Sequence, residues 1–212
     1  MAHEARTMTY LRQRGYPVPA VEEISADGSD LVMERIDGPS MVQAIGDAPW
    51  TVKRHARMLA ELHVQLHELT PPDFLERISV LSGNSVLHLD LHPLNVIIGP
   101  HGPVVIDWSN ASVGDPDIDV GLAWVLMAAG EIPGVRVKST ILGWVRSLLV
   151  RGFVARFDRE EVASKLRSIV EVKVRDPHMS PKETDRMWRV VDRAERRASR
   201  SAGRERQPSR RQ

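Results

Sequence analysis

Two short apolar runs joined by a Gly-Pro-His-Gly turn do most to constrain this chain. Val96-Ile97-Ile98, then Gly99-Pro100-His101-Gly102, then Val104-Val105-Ile106 reads as a β-hairpin. The hairpin lies between a polar loop, His88-Leu89-Asp90-Leu91-His92-Pro93-Leu94-Asn95, and the pair Asp107-Trp108. Folding it back on itself brings Asp107 beside Asn95. Pro93 removes a backbone donor and stiffens the loop, and Asp90 and Asn95, five residues apart, can then reach one point. Two carboxylates and an amide gathered in this way suit phosphoryl transfer. That chemistry needs one carboxylate beside the attacking hydroxyl, and an amide oxygen with a second carboxylate to hold magnesium against the nucleotide phosphates. Asp90, Asn95 and Asp107 supply these groups in that order.

The rest of the chain falls into helices and turns around this centre. Residues 2–14 carry Ala5, Met8 and Leu11 near one helical face, with Gly15 as the stop. Tyr16-Pro17-Val18-Pro19 forces an extended segment. Val21–Ile24 and Leu31–Ile36 read as strands around the turn Ala26-Asp27-Gly28-Ser29-Asp30. Asp37-Gly38-Pro39-Ser40 breaks the chain again and marks the boundary between a small first lobe and a larger second one.

In Thr51–Leu69, Val52, Ala56, Leu59, Leu62, His63, Leu66 and Leu69 follow the spacing of a buried helical stripe, which Pro71-Pro72 ends. Ile118–Ala129 reads as a central apolar helix. Arg136–Phe153 and Arg159–Val174 follow, with a capping signal at Asp158-Arg159-Glu160-Glu161. Ser180-Pro181-Lys182-Glu183 opens a last helix expected to run to about Ala198.

Lys plus Arg number 29 against 28 for Asp plus Glu, so a net charge of +1 points to no electrostatic partner for the body of the protein. No nucleic-acid partner is expected. Arg dominates from Arg186 onward, and 199–212 has no bulky apolar residue, a composition that predicts a disordered, solvated tail without aromatics to stack on bases. The absence of cysteine excludes disulfides and thiolate metal sites. No apolar run approaches the ~18–20 residues of a membrane span, and Met1-Ala2-His3-Glu4-Ala5-Arg6 has no apolar signal core. A cytoplasmic protein is the expectation.

His88–Asn95, Val105–Trp108 and Gly114-Asp115-Pro116-Asp117-Ile118-Asp119-Val120-Gly121 resemble the motifs of the aminoglycoside phosphotransferase and choline kinase-like family. The resemblance, which extends weakly over about residues 2–130, implies an α+β, protein-kinase-like fold with a truncated upper lobe at 1–37, a mostly helical catalytic lobe at 38–198 and the tail at 199–212. It implies Asp90 as the catalytic carboxylate, with His88 beside it in the catalytic loop, and Asn95 and Asp107 as Mg2+ ligands. Asp119 is then the residue that holds that loop by hydrogen bonds. Leu31-Val32-Met33-Glu34-Arg35 is similar to the family's hinge, where backbone groups of Glu34 and Arg35 meet the adenine of ATP. Glu4 matches the glutamate that pairs with the ATP-binding lysine, and the acceptor implied is a small-molecule hydroxyl.

Other readings of the same residues compete. His88-x-Asp90-x-His92 is also a metal-gripping pattern, but no other cluster stands at ligand spacing and that reading leaves Asn95 and Asp107 without a role. His88 is therefore expected to order the loop and His92 to lie near the phosphate-transfer path. Asp115, Asp117 and Asp119 invite comparison with a calcium loop, yet Pro116, Val120 and Leu126 stand where that loop needs other residues; a turn and helix cap is the simpler reading. The family pattern is also departed from. No Gly-rich loop and no lysine precede Glu4, Lys53 being the first lysine, and Leu89 stands where the aminoglycoside enzymes commonly have Gly. A start set too far downstream, a fragment of low activity and a binding module that kept the motif each account for this. The last two readings give a nucleotide- or partner-binding protein without turnover as the alternative function.

Overall fold

The computed structural model describes residues 1–130, 140–174 and 180–205. Its first helix, α1 (Ala2–Arg12), buries Ala5, Thr7, Met8 and Leu11 and ends as expected near Gly15, whose φ of +77° suits a residue without a Cβ. An extended stretch follows to the antiparallel pair β1 (Val21–Ile24) and β2 (Leu31–Met33). β2 is shorter than the Leu31–Ile36 run suggested. Glu34 N–H still donates to Ala20 O, but the residue before Ala20 is Pro19, which has no N–H to continue the ladder.

Helix α2 (Met41–Asp47) was not expected from the apolar pattern. Ser40 caps it in a full capping box with Gln43, and Met41 and Ile45 are its buried residues. The long helix expected at Thr51–Leu69 divides into a 3-10 turn at Pro49–Thr51 and α3 (Val52–His67), whose stripe Val52, Ala56, Leu59, Leu62, His63 and Leu66 is buried.

The hairpin forms as read: β4 (Val96–Gly99) pairs with β5 (Gly102–Val105) around Pro100-His101, with Val96 opposite Val105. A second, long-range pair, β3 (Ser85–Leu87) with β6 (Ser112–Gly114), brackets the polar loop and hairpin. α4 (Pro116–Ala129) is capped by Asp115, which accepts the Asp117 N–H at 2.9 Å, and runs through the core. α5 (Thr140–Val154) and α6 (Arg159–Lys173) follow; the part of the expected helix at 136–139 lies outside the described residues. Asp158 caps α6 by accepting from Glu160 and Glu161 N–H.

α7 spans Pro181–Glu205 and so passes the expected end at Ala198. Ala, Arg and Glu in this stretch are good helix formers, which composition as a measure of burial overlooks. Of the segment expected to be disordered, 199–205 continues α7 and 206–212 lies outside the described residues.

α3 packs on α5, and α4 packs on α5, α6 and α7. A Cβ at Gly121 would stand 2.6 Å from Ile169 Cδ1, so glycine lets α4 and α6 approach closely. One apolar cluster runs from Met8, Leu11 and Tyr16 through Leu59, Val105 and Trp108 to Phe153, Leu166 and Val191. A smaller one, Leu87, Ile118, Leu122 and Ile169, receives Ile78, Leu81 and Leu89. The polar loop lies across the junction of the two.

Candidate active site

The loop from His88 to Asn95 leaves β3 and enters β4, so both its ends are fixed by strand pairing. Asn95 closes it. Its N–H donates to His92 O at 2.9 Å, and its Nδ2 donates to Asp90 O at 3.0 Å and to Asp90 Oδ2 at 3.2 Å. The amide nitrogen is thus spent on Asp90, and Oδ1 is the atom of Asn95 suited to a cation. Ile106 N–H donates to Asn95 O at 3.0 Å, which sets Asp107 next to Asn95 as the hairpin reading required. Asp107 itself is exposed, has φ of +66° and accepts a hydrogen bond from Ser109 Oγ at 2.8 Å.

His88 is wholly buried. Its Nε2–H donates to Ile106 O at 3.1 Å, its Nδ1 accepts the Asp90 N–H at 3.3 Å, and its ring centroid lies 4.4 Å from that of Trp108. Both ring nitrogens are occupied, so the imidazole ties the loop to the hairpin's far end and does not face the space beside Asp90. His92 is the histidine beside the carboxylate, with Nε2 3.6 Å from Asp90 Oδ1 and Nδ1 accepting Leu94 N–H. Burial holds the His92 pKa below its usual range although Asp90 pulls it upward, so the ring is neutral near pH 7.

Beneath the loop, Asp119 reaches up from α4. Its Oδ2 accepts His88 N–H at 2.8 Å and its Oδ1 accepts Leu89 N–H at 2.6 Å. His67 Nε2, on α3, adds a contact to Oδ2 at 3.3 Å. Burial works against its charge, yet the His67 hydrogen bond, the neighbouring imidazoles and the backbone donor hold the Asp119 carboxyl below the usual carboxylate range. The loop's supporting residue is therefore an anion satisfied on every side. His67 is a member of this site that the sequence reading did not single out, because the Asp119 it meets lies 52 residues away along the chain.

The remaining expected site residues lie apart from the loop. Glu34 accepts the Ala20 N–H at 2.9 Å and pairs with Arg12 at 3.2 Å, while Arg35 pairs with Asp37 on the surface. The Glu34 N–H is already used by Ala20 O, which leaves the Glu34 carbonyl and the Arg35 N–H as backbone groups for a base. Glu4 sits on α1 and accepts the Trp108 N–H through Oε1 at 3.2 Å. Lys165, from α6, joins Asp115, Asp117 and Glu161 at the start of α4, another grouping that sequence spacing did not reveal.

Among the described residues no three His, Asp, Glu or Cys side chains converge to hold a metal. Asn95 Oδ1 and the Asp107 carboxylate are oxygens of the kind that could serve a hard divalent cation. Such a donor set, an adjacent carboxylate and a rigid loop can orient a hydroxyl and hold charge at a phosphoryl group.

Residues 81–146, which include the whole loop and hairpin, match the model of the phosphotransferase enzyme family. The chain resembles that family. The fold agrees with the match. A choline/ethanolamine kinase family protein from Mesorhizobium loti superposes with a TM-score of 0.56 at 14% identity, covering 91% of this chain and 78% of that one. An aminoglycoside-3'-phosphotransferase of type VIII gives 0.52 at 19% identity, with 91% and 79% covered. An amicoumacin kinase in complex with AMP-PNP, Ca2+ and Ami gives 0.51 at 14% identity, with 92% and 77% covered. Among curated proteins none matches the sequence. The phosphotransferase resemblance thus covers motifs and architecture, and the fold is the kinase-like α+β fold. No helix among the described residues is long and apolar enough to cross a membrane.

Proposed function

We propose that this chain is an ATP-dependent, magnesium-requiring transferase that phosphorylates a hydroxyl group of a small molecule. The observation that carries the reading is the direct hydrogen bonding of Asn95 to Asp90, together with the Asn95–Ile106 backbone link that sets Asp107 beside them. Asp90 orients the acceptor hydroxyl and takes its proton as the hydroxyl oxygen bonds to the γ-phosphorus of ATP and the bond from that phosphorus to the leaving ADP oxygen breaks. His92 stands beside it, with Nε2 3.6 Å from Oδ1. Asn95 Oδ1 and Asp107 would hold the magnesium ion, which when bound neutralises phosphate charge. His88 acts through the loop, and Asp119 keeps the loop backbone in place.

Residues 1–37 serve as the upper-lobe part, with the Glu34–Arg35 backbone as the adenine contact, 38–198 as the catalytic lobe, and the location is cytoplasmic. The substrates named for the structural neighbours, aminoglycoside and choline, suggest a small hydroxyl-bearing acceptor. One observation favours a second reading, in which the chain binds nucleotide or a partner without turnover. Glu4, which the resemblance sets against a lysine of the ATP site, is engaged with the Trp108 N–H.

Calorimetry with AMP-PNP and Mg2+, followed by ATP-consumption assays over amino sugars, amino alcohols and sugars, tests both. Asp90→Ala should bind the nucleotide nearly as well as the unmutated chain and lose about 100-fold or more in turnover. Unchanged turnover in that variant removes Asp90 from its role. Nucleotide binding with no turnover on any acceptor class supports the second reading, and no heat removes ATP use altogether.

A further inference from the structure

The hairpin reading explains how Asp107 comes near Asn95, but not what keeps it in its conformation. Asp107 has φ of +66°, a left-handed backbone that a residue with a Cβ adopts at a cost and keeps only where its surroundings over-determine it. The residues after it leave β5 and cross the end of α1. There the helix meets them twice. Glu4 Oε1 accepts the N–H of Trp108, the residue directly after Asp107, at 3.2 Å, and His3 Nε2–H donates to Ala111 O at 3.0 Å. On the other side, Val105 N–H donates to Pro17 O at 2.8 Å, and Tyr16 packs edge-on against Trp108 with centroids 5.6 Å apart. The segment 105–111 is therefore held by α1 and by the chain that follows it.

We propose that Glu4 is a positioning residue for Asp107: by accepting the Trp108 N–H it fixes the left-handed turn that presents the Asp107 carboxylate to a divalent cation. This deepens the phosphotransferase reading and rests on it, since it takes Asp107 as a metal ligand. It assigns Glu4 a task that needs an oxygen acceptor at the right reach and does not need a charge. α1 is rigid enough for the task, because Ala5, Met8 and Leu11 are buried on the helix that carries Glu4.

Two variants of the full chain separate contact from charge. Glu4→Gln keeps an acceptor oxygen at the same reach and loses the charge. Glu4→Asp keeps the charge and is one methylene shorter. Each is read by hydrogen exchange at the Trp108 amide, by exchange at Val170 in α6 as a check on global stability, and by Mn2+ binding in the presence of AMP-PNP. In Glu4→Asp, Trp108 exchange should quicken and Mn2+ affinity should fall, each about five- to tenfold, the size of one net hydrogen bond, with Val170 unchanged. In Glu4→Gln both should stay within about threefold of the parent, less than the loss of that bond. The reverse order, with Gln harmful and Asp harmless, would overturn the proposal in favour of a charge-pairing role, as would a Trp108 amide indifferent to both. An unmutated chain that takes up no Mn2+ overturns the metal reading and the proposal's purpose with it. That failure is told apart by a Trp108 amide that still responds to Glu4→Asp.

Discussion

Asp119 Oδ2 on α4 lies 3.3 Å from His67 Nε2 on α3, and the same carboxylate accepts the backbone N–H groups of His88 and Leu89. One buried anion therefore joins two core helices to the start of the loop His88–Asn95. Replacing Asp119 by Ala strands these donors in a site that water does not reach. At about 1–3 kcal/mol for each buried group left unsatisfied, the variant should lose roughly 3–5 kcal/mol of unfolding free energy in urea. A loss below about 1 kcal/mol would show that the loop finds other acceptors.

Leu89 has φ of +64°, and its side chain packs against the small cluster of Leu87, Ile118, Leu122 and Ile169. Two effects oppose each other at this position. Glycine would relieve the backbone but give up the packing, whereas alanine would give up most of the packing and keep the strained φ. Leu89→Ala should therefore be less stable than Leu89→Gly by about 1 kcal/mol, the reverse of the order expected at an ordinary helical or extended position. Chemical denaturation of the two variants decides the order.

His63 is fully buried; its Nδ1–H donates to Leu59 O at 2.9 Å and its Nε2 has no partner. Burial pushes its pKa down to about 4, with Asp119 pulling the other way and His67 and His88 adding to the depression. In the unfolded chain the ring titrates near the ordinary value of about 6.5. Between the two values the unfolded state holds a proton that the folded state does not. Stability thus falls as pH drops from about 6.5 towards 4, by roughly 3 kcal/mol over the whole interval and roughly 2 kcal/mol by pH 5. His63→Leu should flatten this slope, so that the gap between variant and parent changes in the variant's favour from pH 7 to pH 5. A parallel decline in both would assign the acid sensitivity to other groups.

Lys165 Nζ sits 3.0 Å from Asp115 Oδ2 and 3.1 Å from Glu161 Oε1 and also meets Asp117, with the lysine and both aspartates largely sheltered. These carboxylates, with the Asp119 anion one turn further on, crowd negative charge at the start of α4. Lys165→Met should cost about 1–3 kcal/mol, because it leaves half-buried carboxylates facing one another. Part of the cost should be recovered in Asp117→Asn/Lys165→Met, and a double-mutant cycle in urea measures the coupling. Strict additivity would mean that the cluster is solvated.

Much of the site was legible because its determinants are local. The two-run, one-turn pattern of 96–106 specifies the hairpin, and the hairpin alone carries Asp107 to Asn95. The stripe on α3 and the apolar run of α4 are likewise written in period. α2 was legible in principle, since Ser40-Met41-Val42-Gln43 is a capping box, but its seven residues offer too few turns for an apolar stripe to register. The β3–β6 pair has three residues a side and is made only when distant segments meet, so no local pattern announces it. The same holds for His67 with Asp119 and Lys165 with Asp115. Glu4 was singled out by the family resemblance alone; its carboxylate's contact with the Trp108 N–H is long-range, and no local pattern announces it. Spacing places both His88 and His92 on the loop, and burial decides that His88 ties it down while His92 stands beside Asp90.

The hairpin of β4 and β5 has a further property that follows from its neighbours. Ile98 N–H donates outward to Pro39 O, Ser40 pairs with Ile97, and Val105 N–H donates outward to Pro17 O. Both flanks of the ribbon are thus taken by segments containing proline, which can accept from a strand but cannot themselves extend a ladder. A ribbon sealed in this manner cannot recruit a strand from another molecule. The part of the chain that sets Asn95 and Asp107 together is in this way insulated from crowding by its own kind, and any self-association of the protein must begin elsewhere.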